Sequence, residues 1–250
     1  EIMKKTIFIT GATSGIGRIT TEMLVKAGHT VYATGRNESA LKYLESIGAI
    51  AFKADLRIPT DIDYVISKLP AIDVAILNAG LGYFESAVNL SDQEIDTMLD
   101  VNVRAPIHLT KRLAPVMIEK NSGHFIFVGS QAGKVATTKA SVYAASKHAI
   151  TGFVNGLRLE LAEYNIHVTG IYPGPIDTPF IQKADATNAY KEAIGKFLLP
   201  PEKVAKEVVD SIEKRPREVN LPRIMSVTSK LYAVAPALVE FVGKGFFNKK

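Results

Sequence analysis

Short apolar runs alternate along the chain with longer stretches in which apolar residues recur every three or four positions. The runs at 5–10, 73–80 and 124–130 are apolar through their centres, rather than alternating apolar with polar residues. Strands of this kind are buried on both faces, which is typical of a parallel sheet covered by helices. The intervening stretches, such as 16–28, have the periodicity of helices that bury one face. The pattern therefore predicts an α/β protein.

Strict alternation of strands and helices predicts right-handed crossovers and a doubly wound, mostly parallel sheet of seven strands flanked by helices. No internal repeat or Pro/Gly/Ser-rich linker interrupts the pattern, so a single domain over 1–250 is favoured. Ligands of such sheets bind beyond the carboxyl ends of the strands, which makes the residues after each strand the candidates for function. We predict strands at 5–10, 30–34, 49–55, 73–80, 124–130, 166–174 and 217–222, and helices at 16–28, 38–47, 60–69, 92–120, 142–164 and 200–216.

Composition and charge narrow the range of partners. Basic residues are scattered along 250 residues with a net charge of +5, which argues against nucleic acid and suits a phosphate-bearing small molecule. The sequence has no cysteine, and its five histidines lack the spacing of metal ligands, so we expect neither disulfides nor a bound metal. We see no signal-peptide pattern at the start and no apolar stretch near the about 20 residues of a membrane span, so we expect a cytoplasmic protein.

Three glycines follow the first predicted strand in the segment TGATSGIG at 10–17. Glycine permits a tight turn and lets the backbone approach a diphosphate closely, and the N–H groups and dipole of the next helix favour its negative charge. The alternatives are a plain glycine turn and, for the two hydroxyl side chains, a helix cap. The candidate phosphate ligands are Gly11, Thr13, Ser14, Gly15, Ile16 and Gly17.

The spacing G-x-x-x-G-x-G in this segment resembles the cofactor turn of the short-chain dehydrogenase/reductase family, in its single-domain branch. The resemblance covers residues 5–180 well and fades afterwards. It implies a single Rossmann domain that binds a nicotinamide dinucleotide and transfers a hydride. The particular nucleotide depends on the strand ends that follow.

The end of the second predicted strand distinguishes between the two nicotinamide cofactors. An acid there accepts hydrogen bonds from the ribose 2′-hydroxyl of NAD, whereas an arginine accommodates the 2′-phosphate of NADP. The segment YATGRNES at 32–39 places Arg36 and no acid at the turn, so we predict NADP(H) as the preferred cofactor and NAD(H) as the second candidate. Alternatively, Arg36 is a solvated charge of the loop. Ion pairing that involves nearby Glu38 and Arg18 would also weaken the argument for NADP(H).

The third and fourth predicted strands also end in residues that the resemblance assigns to the cofactor. In the family, a carboxylate after the third strand hydrogen-bonds the adenine amino group and the next residue packs against the ring, which implies these roles for Asp55 and Leu56. From the sequence alone, Asp55 is equally a residue at the entry to a helix. Asn78, Ala79 and Gly80 resemble the family motif that stabilises the sheet and lines the ribose and nicotinamide side.

Tyr143 and Lys147 stand four residues apart where a helix is predicted to begin, so their side chains share one helical face. Such a pair is as readily packing as catalysis, and the chain has a second one, Tyr64 and Lys68. Strand context separates the two pairs, because Ser130 ends the fifth predicted strand and a returning loop would bring it to Tyr143. No serine at a strand end precedes Tyr64, and we interpret that pair as a surface coincidence.

Asn102, Ser130, Tyr143 and Lys147 match the catalytic tetrad of the family in order and approximate spacing. Reduction of a carbonyl needs a proton for oxygen, and a tyrosine with a pKa of about 10 is a poor shuttle at neutral pH. The ammonium of Lys147 and the nicotinamide charge should lower that pKa, and the lysine could also hold the nicotinamide ribose. Ser130 would hold the substrate oxygen. The resemblance implies that Asn102 orders a water between Lys147 and solvent. Alternatively, Asn102 is only a polar residue that distorts the helix.

The sixth predicted strand ends in YPGPIDTPF at 172–180, which resembles the Pro-Gly segment that closes over the nicotinamide in the family. Pro173 and Gly174 stiffen the turn. Ile176 would offer a backbone donor to the carboxamide, and Thr178 a hydroxyl to the carboxamide or the diphosphate. The alternative is an ordinary proline-rich turn.

These features predict an NADP(H)-dependent oxidoreductase that acts on a small-molecule carbonyl or secondary alcohol, with Tyr143 as general acid and base. Two alternatives stay open: a catalytically silent NADP(H)-binding redox sensor, and a nucleotide-sugar epimerase or dehydratase. The intact tetrad argues against the first, and the glycine spacing and the lack of a longer substrate domain argue against the second. By resemblance only, we expect a homodimer or homotetramer formed through the helices at 92–120 and 142–164.

Substrate choice is expected to depend on 180–200, which we interpret as a substrate lid, and on an apolar C-terminal extension at 223–250. Three interpretations of the extension compete. We favour packing over the substrate pocket or core, which would suit a lipophilic substrate, above a subunit interface. We disfavour a membrane surface contacted through Phe246, Phe247 and nearby lysines.

Overall fold

Seven strands form one sheet within residues 3–185, 195 and 198–243, the part of the chain that the computed structural model describes. In chain order the strands are β1 (Thr6–Thr10), β2 (Thr30–Gly35), β3 (Ile50–Lys53), β4 (Val74–Leu77), β5 (Gly123–Val128), β6 (Ile166–Pro173) and β7 (Glu218–Leu221). They lie in the order β3-β2-β1-β4-β5-β6-β7, and every neighbouring pair is parallel. The predicted Rossmann-like α/β fold is confirmed, with a sheet that is parallel throughout rather than mostly parallel.

The central strands are apolar at successive positions because both faces of the sheet are covered. In β1, Ile7 and Ile9 point to one hydrophobic layer and Phe8 to the other, and all three side chains are fully buried. Burying a side chain of this size contributes on the order of 1.5–3 kcal/mol, so continuous apolar runs are the most stabilising sequence for a strand in this environment. The core thus holds the strand ends in a fixed frame.

Ten α-helices connect and extend the sheet in the described residues. Their bounds are α1 (Gly15–Lys26), α2 (Glu38–Ser46), α3 (Pro59–Lys68), α4 (Asp92–Leu99), α5 (Ala105–Glu119), α6 (Ser141–Glu160), α7 (Pro179–Ala184), α8 (Pro201–Lys214), α9 (Met225–Val234) and α10 (Pro236–Val242). The predicted helix at 92–120 is divided by a π-helical turn at Asp100–Arg104, which sequence periodicity did not reveal. The predicted helix at 142–164 ends at Glu160, and a 3₁₀ turn follows at Ala162–Tyr164.

The C-terminal segment contacts the domain along one side of α9 and leaves most of its apolar side chains exposed. Met225 lies against Gly174, and Ser229 is buried, but Val234 and Phe241 are 85% and 81% exposed. The favoured interpretation, a tail packed over the substrate pocket or core, is therefore wrong for most of the apolar side chains of α9 and α10. Phe246, Phe247 and most of the proposed lid lie outside the described residues. None of the helices described is long and apolar enough to cross a membrane.

Candidate active site

The turn between β1 and α1 uses glycine where backbone geometry requires it. Gly11 and Gly15 have φ angles of +66° and +51°, in the left-handed region. A Cβ on Gly17 would lie 2.2 Å from the carbonyl oxygen of Gly11, so α1 begins this close to β1 only with glycine at that position. The glycines therefore keep the N-terminus of α1 close to the end of β1, the arrangement in which helix N–H groups can face the predicted diphosphate.

The first turn of α1 has backbone N–H groups that no side chain caps. Ser14 occupies the N-cap position, but its hydroxyl makes no capping hydrogen bond, and the first turn contains no acidic residue. The N–H groups of this turn, that of Ile16 among them, are therefore available to an anion at the positive end of the helix dipole. The alternative that the Ser14 side chain caps the helix is therefore wrong. Contact of the Ser14 hydroxyl with a phosphate stays a prediction.

Gly35, the last residue of β2, is a further glycine of the site that the sequence analysis missed. A Cβ there would lie 2.4 Å from Cγ2 of Thr13 and 2.7 Å from its Oγ1. The N–H of Ala12 donates to the carbonyl oxygen of Thr34 at 3.0 Å, which ties the glycine turn to β2. A glycine directly before Arg36 was the available signal, because glycine at a strand end often marks a close backbone approach.

Asn78 fastens the end of β4 to the end of β1. Its side-chain amide donates to the carbonyl oxygens of Thr10 at 3.0 Å and Gly11 at 3.3 Å. The Thr10 hydroxyl in turn accepts the N–H groups of Asn78 and Ala79, both at 3.1 Å. This network fixes the glycine turn relative to the centre of the sheet, in agreement with the stabilising role that the resemblance implied.

Arg36 lies just beyond the end of β2 with a side chain that is 61% exposed. Its Nη1 is 4.0 Å from Oδ2 of Asp55, whereas Glu38 pairs with Lys53. Arg18 pairs with Glu22 in α1. Glu38 therefore does not pair with Arg36, which removes one objection to the prediction of NADP(H). The acid that Arg36 contacts is Asp55.

Arg57 holds Asp55 by three side-chain hydrogen bonds, a contact that the sequence analysis did not predict. Nη2 of Arg57 donates to Oδ2 at 2.5 Å and its Nε to Oδ1 at 3.0 Å. These bonds hold the pKa of Asp55 below its usual range. The Arg57 N–H also donates to Oδ1 at 3.1 Å, the local turn expected of a residue at the entry to a helix. The D-x-R spacing after a strand was the available signal. Contact of Asp55 and Leu56 with adenine stays a prediction.

Ser130, Tyr143 and Lys147 meet at the end of β5. Tyr143 and Lys147 are 7% and 6% exposed, and Nζ of the lysine is 5.8 Å from the centre of the tyrosine ring. Ser130 is hydrogen-bonded to the Tyr143 side chain. Tyr143 is thus within reach of both Ser130 and Lys147, two of the other three predicted tetrad residues.

Burial sets the proton affinities of this group. It raises the pKa of Tyr143 to about 12, although the hydrogen bond with Ser130 acts in the lowering direction. It lowers the pKa of Lys147 to about 8. The shift of the tyrosine is opposite to the prediction, because loss of hydration opposes the charged form of a buried side chain. In this chain the tyrosine is held as a phenol.

Lys147 also faces the backbone after β4. Its Nζ donates to the carbonyl oxygen of Val128 at 3.4 Å. A Cβ on Gly80, after β4, would lie 3.2 Å from this Nζ. Gly80 therefore lets the lysine head lie against the chain at this strand end. The ammonium is placed between β4 and β5, where the resemblance puts the nicotinamide ribose.

Asn102 lies in the π-helical turn, buried below the other tetrad residues. Its Oδ1 accepts the N–H of Leu81 at 2.9 Å, and its Nδ2 donates to the Leu81 carbonyl at 2.8 Å and to the Ser146 hydroxyl at 3.0 Å. Ser146 donates to the carbonyl oxygen of Tyr143 at 2.7 Å. Asn102 does lie in a distorted helix, and its contacts join the loop after β4 to α6. Ser146 was missed by the sequence analysis, and the ordered water stays a prediction.

The segment after β6 turns back towards the first glycine turn. The N–H of Gly174, which follows Pro173, donates to the carbonyl oxygen of Leu221 at 2.7 Å. Ile176 forms a bridge with Leu199. The Thr178 side chain is 3.4 Å from where a Cβ on Gly15 would lie, so the first and sixth strand ends meet. Roles of these residues toward a carboxamide stay predictions.

Two phenylalanines cover the Tyr143 ring, and the sequence analysis missed both. The ring centres of Phe84 and Phe180 are 5.5 Å and 5.8 Å from that of Tyr143, and 6.2 Å from each other. The N–H of Phe84 donates to the carbonyl oxygen of Ala184 at 2.7 Å, which joins the loop after β4 to α7. Beyond Ser130 and Lys147, the tyrosine ring lies in an apolar cluster that also contains Leu81, Leu90 and Met98.

The second tyrosine–lysine pair has a different environment. Tyr64 is exposed on α3, where Lys68 lies over its ring with Nζ 5.5 Å from the ring centre. The Tyr64 ring otherwise packs on Phe52 at the outer strand β3. The pair therefore lies on the surface, as predicted, and its lack of a catalytic role stays a prediction.

The fold and this site together define a Rossmann-type oxidoreductase, and comparison with known families gives the particular class. Residues 5–189 match the family model described as short chain dehydrogenase. Since this match covers most of the sequence, the chain belongs to the short-chain dehydrogenase family, as the motifs had indicated.

Individual relatives agree with this assignment. The chain is 34% identical over 227 residues to the NADP-dependent 3-hydroxy acid dehydrogenase YdfG of Shigella flexneri, covering 86% of this chain and 91% of that protein. It is 38% identical over 192 residues to the short-chain type dehydrogenase/reductase y4eK of Sinorhizobium fredii, covering 75% and 73%. Among solved structures, the closed form of serine dehydrogenase complexed with NADP⁺ superposes with a TM-score of 0.81 at 30% identity, covering 86% and 94%.

Proposed function

We propose that this protein transfers a hydride between NADP(H) and a carbonyl or secondary alcohol, with Tyr143 as the general acid and base. The observation that carries the proposal is the position of buried Tyr143 between half-buried Ser130 and buried Lys147 at the end of β5. Two relatives named for oxidation of hydroxyl-bearing acids, a 3-hydroxy acid and serine, support the same reaction type. We also infer that residues 1–250 form one domain and act in the cytoplasm.

The side chains divide the reduction between them. NADPH, when bound, supplies the hydride to the carbonyl carbon. Tyr143, protonated at neutral pH, gives its phenolic proton to the carbonyl oxygen, and the Ser130 hydroxyl donates to that oxygen as charge develops on it. Lys147 holds the ribose of the cofactor and favours the phenolate that Tyr143 leaves behind. Asn102 positions the loop after β4 and α6 relative to each other.

The preference for NADP(H) rests on the charges at the ends of β2 and β3. Arg36 is exposed and offers a planar guanidinium to the 2′-phosphate. Arg57 occupies both oxygens of Asp55, so the nearest carboxylate is neutralised and does not repel that phosphate. The diphosphate is assigned to the glycine turn and the N-terminus of α1, with Thr178 at its edge.

We expect Arg57→Ala to weaken NADPH binding more than NADH binding, changing the ratio of the two dissociation constants by about three- to tenfold. Asp55, freed from Arg57, would pair with Arg36 only 4.0 Å away and oppose the phosphate. The double variant Asp55→Asn/Arg57→Ala should recover the wild-type ratio. Nucleotide fluorescence titration measures both constants, and an equal loss for the two cofactors would contradict the assignment.

Initial rates with NADPH and NADH against ketones, aldehydes, quinones and acyl substrates test the proposed function. We expect turnover with NADPH that exceeds turnover with NADH by about tenfold or more. The reverse reaction is assayed with NADP⁺ and 3-hydroxy acids, serine and apolar secondary alcohols. Faster turnover with NADH would refute the role of Arg36. Tight NADPH binding without turnover on any substrate would indicate a silent binding protein instead.

We infer that the protein forms a homodimer or homotetramer through α4, α5 and α6. Exposed Val116 and Leu159 on α5 and α6 support contact through these helices. Light scattering during size-exclusion chromatography tests this, and a monomeric mass at micromolar concentration would refute it.

A further inference from the structure

The two last described helices, α9 and α10, form a C-terminal hairpin with an apolar outer surface. Within 224–242, seven large apolar side chains are each more than half exposed. In α9 they recur as Val227, Leu231 and Val234, which places them on one helical face. In α10, Leu238 and Phe241 repeat the spacing. An exposed apolar stripe of this length on a folded domain marks an interaction surface rather than ordinary surface variation.

The opposite side of the hairpin is fixed next to the catalytic loop. The Tyr232 hydroxyl donates to Oε1 of Glu240 at 2.8 Å, which joins α9 to α10. Tyr232 is also hydrogen-bonded to the backbone of Ala136, in the loop that connects Ser130 with Tyr143. The hairpin is therefore held to the domain near the active site while its apolar stripe faces outward.

Charge identifies the kind of surface that the hairpin fits. Residues 223–250 contain five lysines and arginines and one acid, Glu240, so +4 of the net charge of +5 belongs to this segment. The one acid is bonded to Tyr232. Apolar side chains flanked by cations are the composition of a segment that lies in the interface of an anionic bilayer.

A second copy of the chain is a poorer occupant of the same stripe. A two-fold dimer places the same surface of both subunits in contact, which would bring together the exposed cations Arg223 and Lys230 of the two copies. We therefore propose that the C-terminal hairpin docks the protein on an anionic lipid surface, against the sequence expectation that disfavoured a membrane contact. The proposal is independent of the cofactor and of the reaction.

Flotation with lipid vesicles tests the proposal on the full chain. We expect binding to vesicles of phosphatidylcholine with about 30% phosphatidylglycerol, little binding to phosphatidylcholine alone, and weaker binding at about 1 M salt, where the Debye length is about 3 Å. Val234→Glu should reduce the bound fraction at least about fivefold, because it places a charge in the apolar stripe. Val88→Glu is the matched control, since Val88 is 90% and Val234 85% exposed, and it should bind as wild type.

Three outcomes would overturn the proposal. The first is no binding to anionic vesicles. The second is an equal loss of binding in the Val88 and Val234 variants. The third is a wild-type protein that does not bind vesicles but forms an oligomer that Val234→Glu dissociates. This result would assign the apolar stripe to contact with a second copy of the chain. Circular dichroism and NADPH titration of both variants establish that the fold and the cofactor site are intact.

Discussion

Tyr143→Phe is expected to lower kcat for carbonyl reduction by about 10²–10⁴-fold, the range for loss of a positioned general acid. NADPH affinity should change by less than about twofold, because the substitution removes no charge and the ring stays in place. The contacts of the ring with Phe84 and Phe180 do not use the hydroxyl. Ser130 keeps a partner, since its Oγ accepts the N–H of Ala132 at 3.1 Å. Stopped-flow and steady-state NADPH oxidation separate the two effects.

The control for this substitution is Tyr64→Phe, in the exposed tyrosine–lysine pair of α3. It removes the same atom at the same sequence spacing from a lysine, and we expect wild-type rates. Loss of activity in both variants, or retention of more than about half of kcat in Tyr143→Phe, would remove the tyrosine from the chemistry.

The pH dependence of oxidation and of reduction should differ, because only oxidation needs the Tyr143 phenolate. With a pKa raised to about 12, Tyr143 is protonated throughout the neutral range and is ready to donate in reduction. Oxidation needs the phenolate, whose population rises with pH. The ratio of oxidation to reduction rates should therefore increase from pH 7 to pH 10. A ratio that falls over this range would contradict Tyr143 as the proton carrier.

The sequence predicted the parts of the site that depend on the backbone near a strand end. The glycine turn, Asn78 and the Tyr143–Lys147 pair are each tied to a strand end or to helical spacing, and alternation of buried strands with helices determines where those ends meet. The number of strands follows from the same alternation, whereas their order in the sheet was given by the structure. The predicted features are local or follow from topology, so a single sequence contains them.

The features that the sequence did not predict depend on contacts between distant segments. Phe84 reaches Tyr143 from the loop after β4 and Phe180 from the first turn of the short helix α7, and neither segment carries a clear periodic signal. The π-helical turn around Asn102 reflects its bonds to Leu81 and Ser146, which periodicity cannot encode. The raised pKa of Tyr143 is a property of burial, which the pair of residue types does not specify. The exposed C-terminal hairpin looked like core by composition alone.

Gly17→Ala is expected to weaken NADPH binding at least about tenfold and to lower the free energy of unfolding by about 1–3 kcal/mol, the range for overpacking. The added Cβ would lie 2.2 Å from the Gly11 carbonyl oxygen and 2.4 Å from Nδ2 of Asn78. Either α1 moves away from β1 or the Asn78 bonds break. Both changes displace the first-turn N–H groups that we assign to the diphosphate.

Gly152→Ala provides the matched control for this prediction. Gly152 lies inside α6, and a Cβ there meets nothing within 4 Å. The substitution should stabilise the protein by about 0.5–1 kcal/mol, because alanine is the better helix former, and should leave NADPH binding unchanged. Urea unfolding and nucleotide titration of both variants separate stability from binding. A Gly17→Ala protein that is folded and binds NADPH as wild type would show that the diphosphate does not lie on this turn.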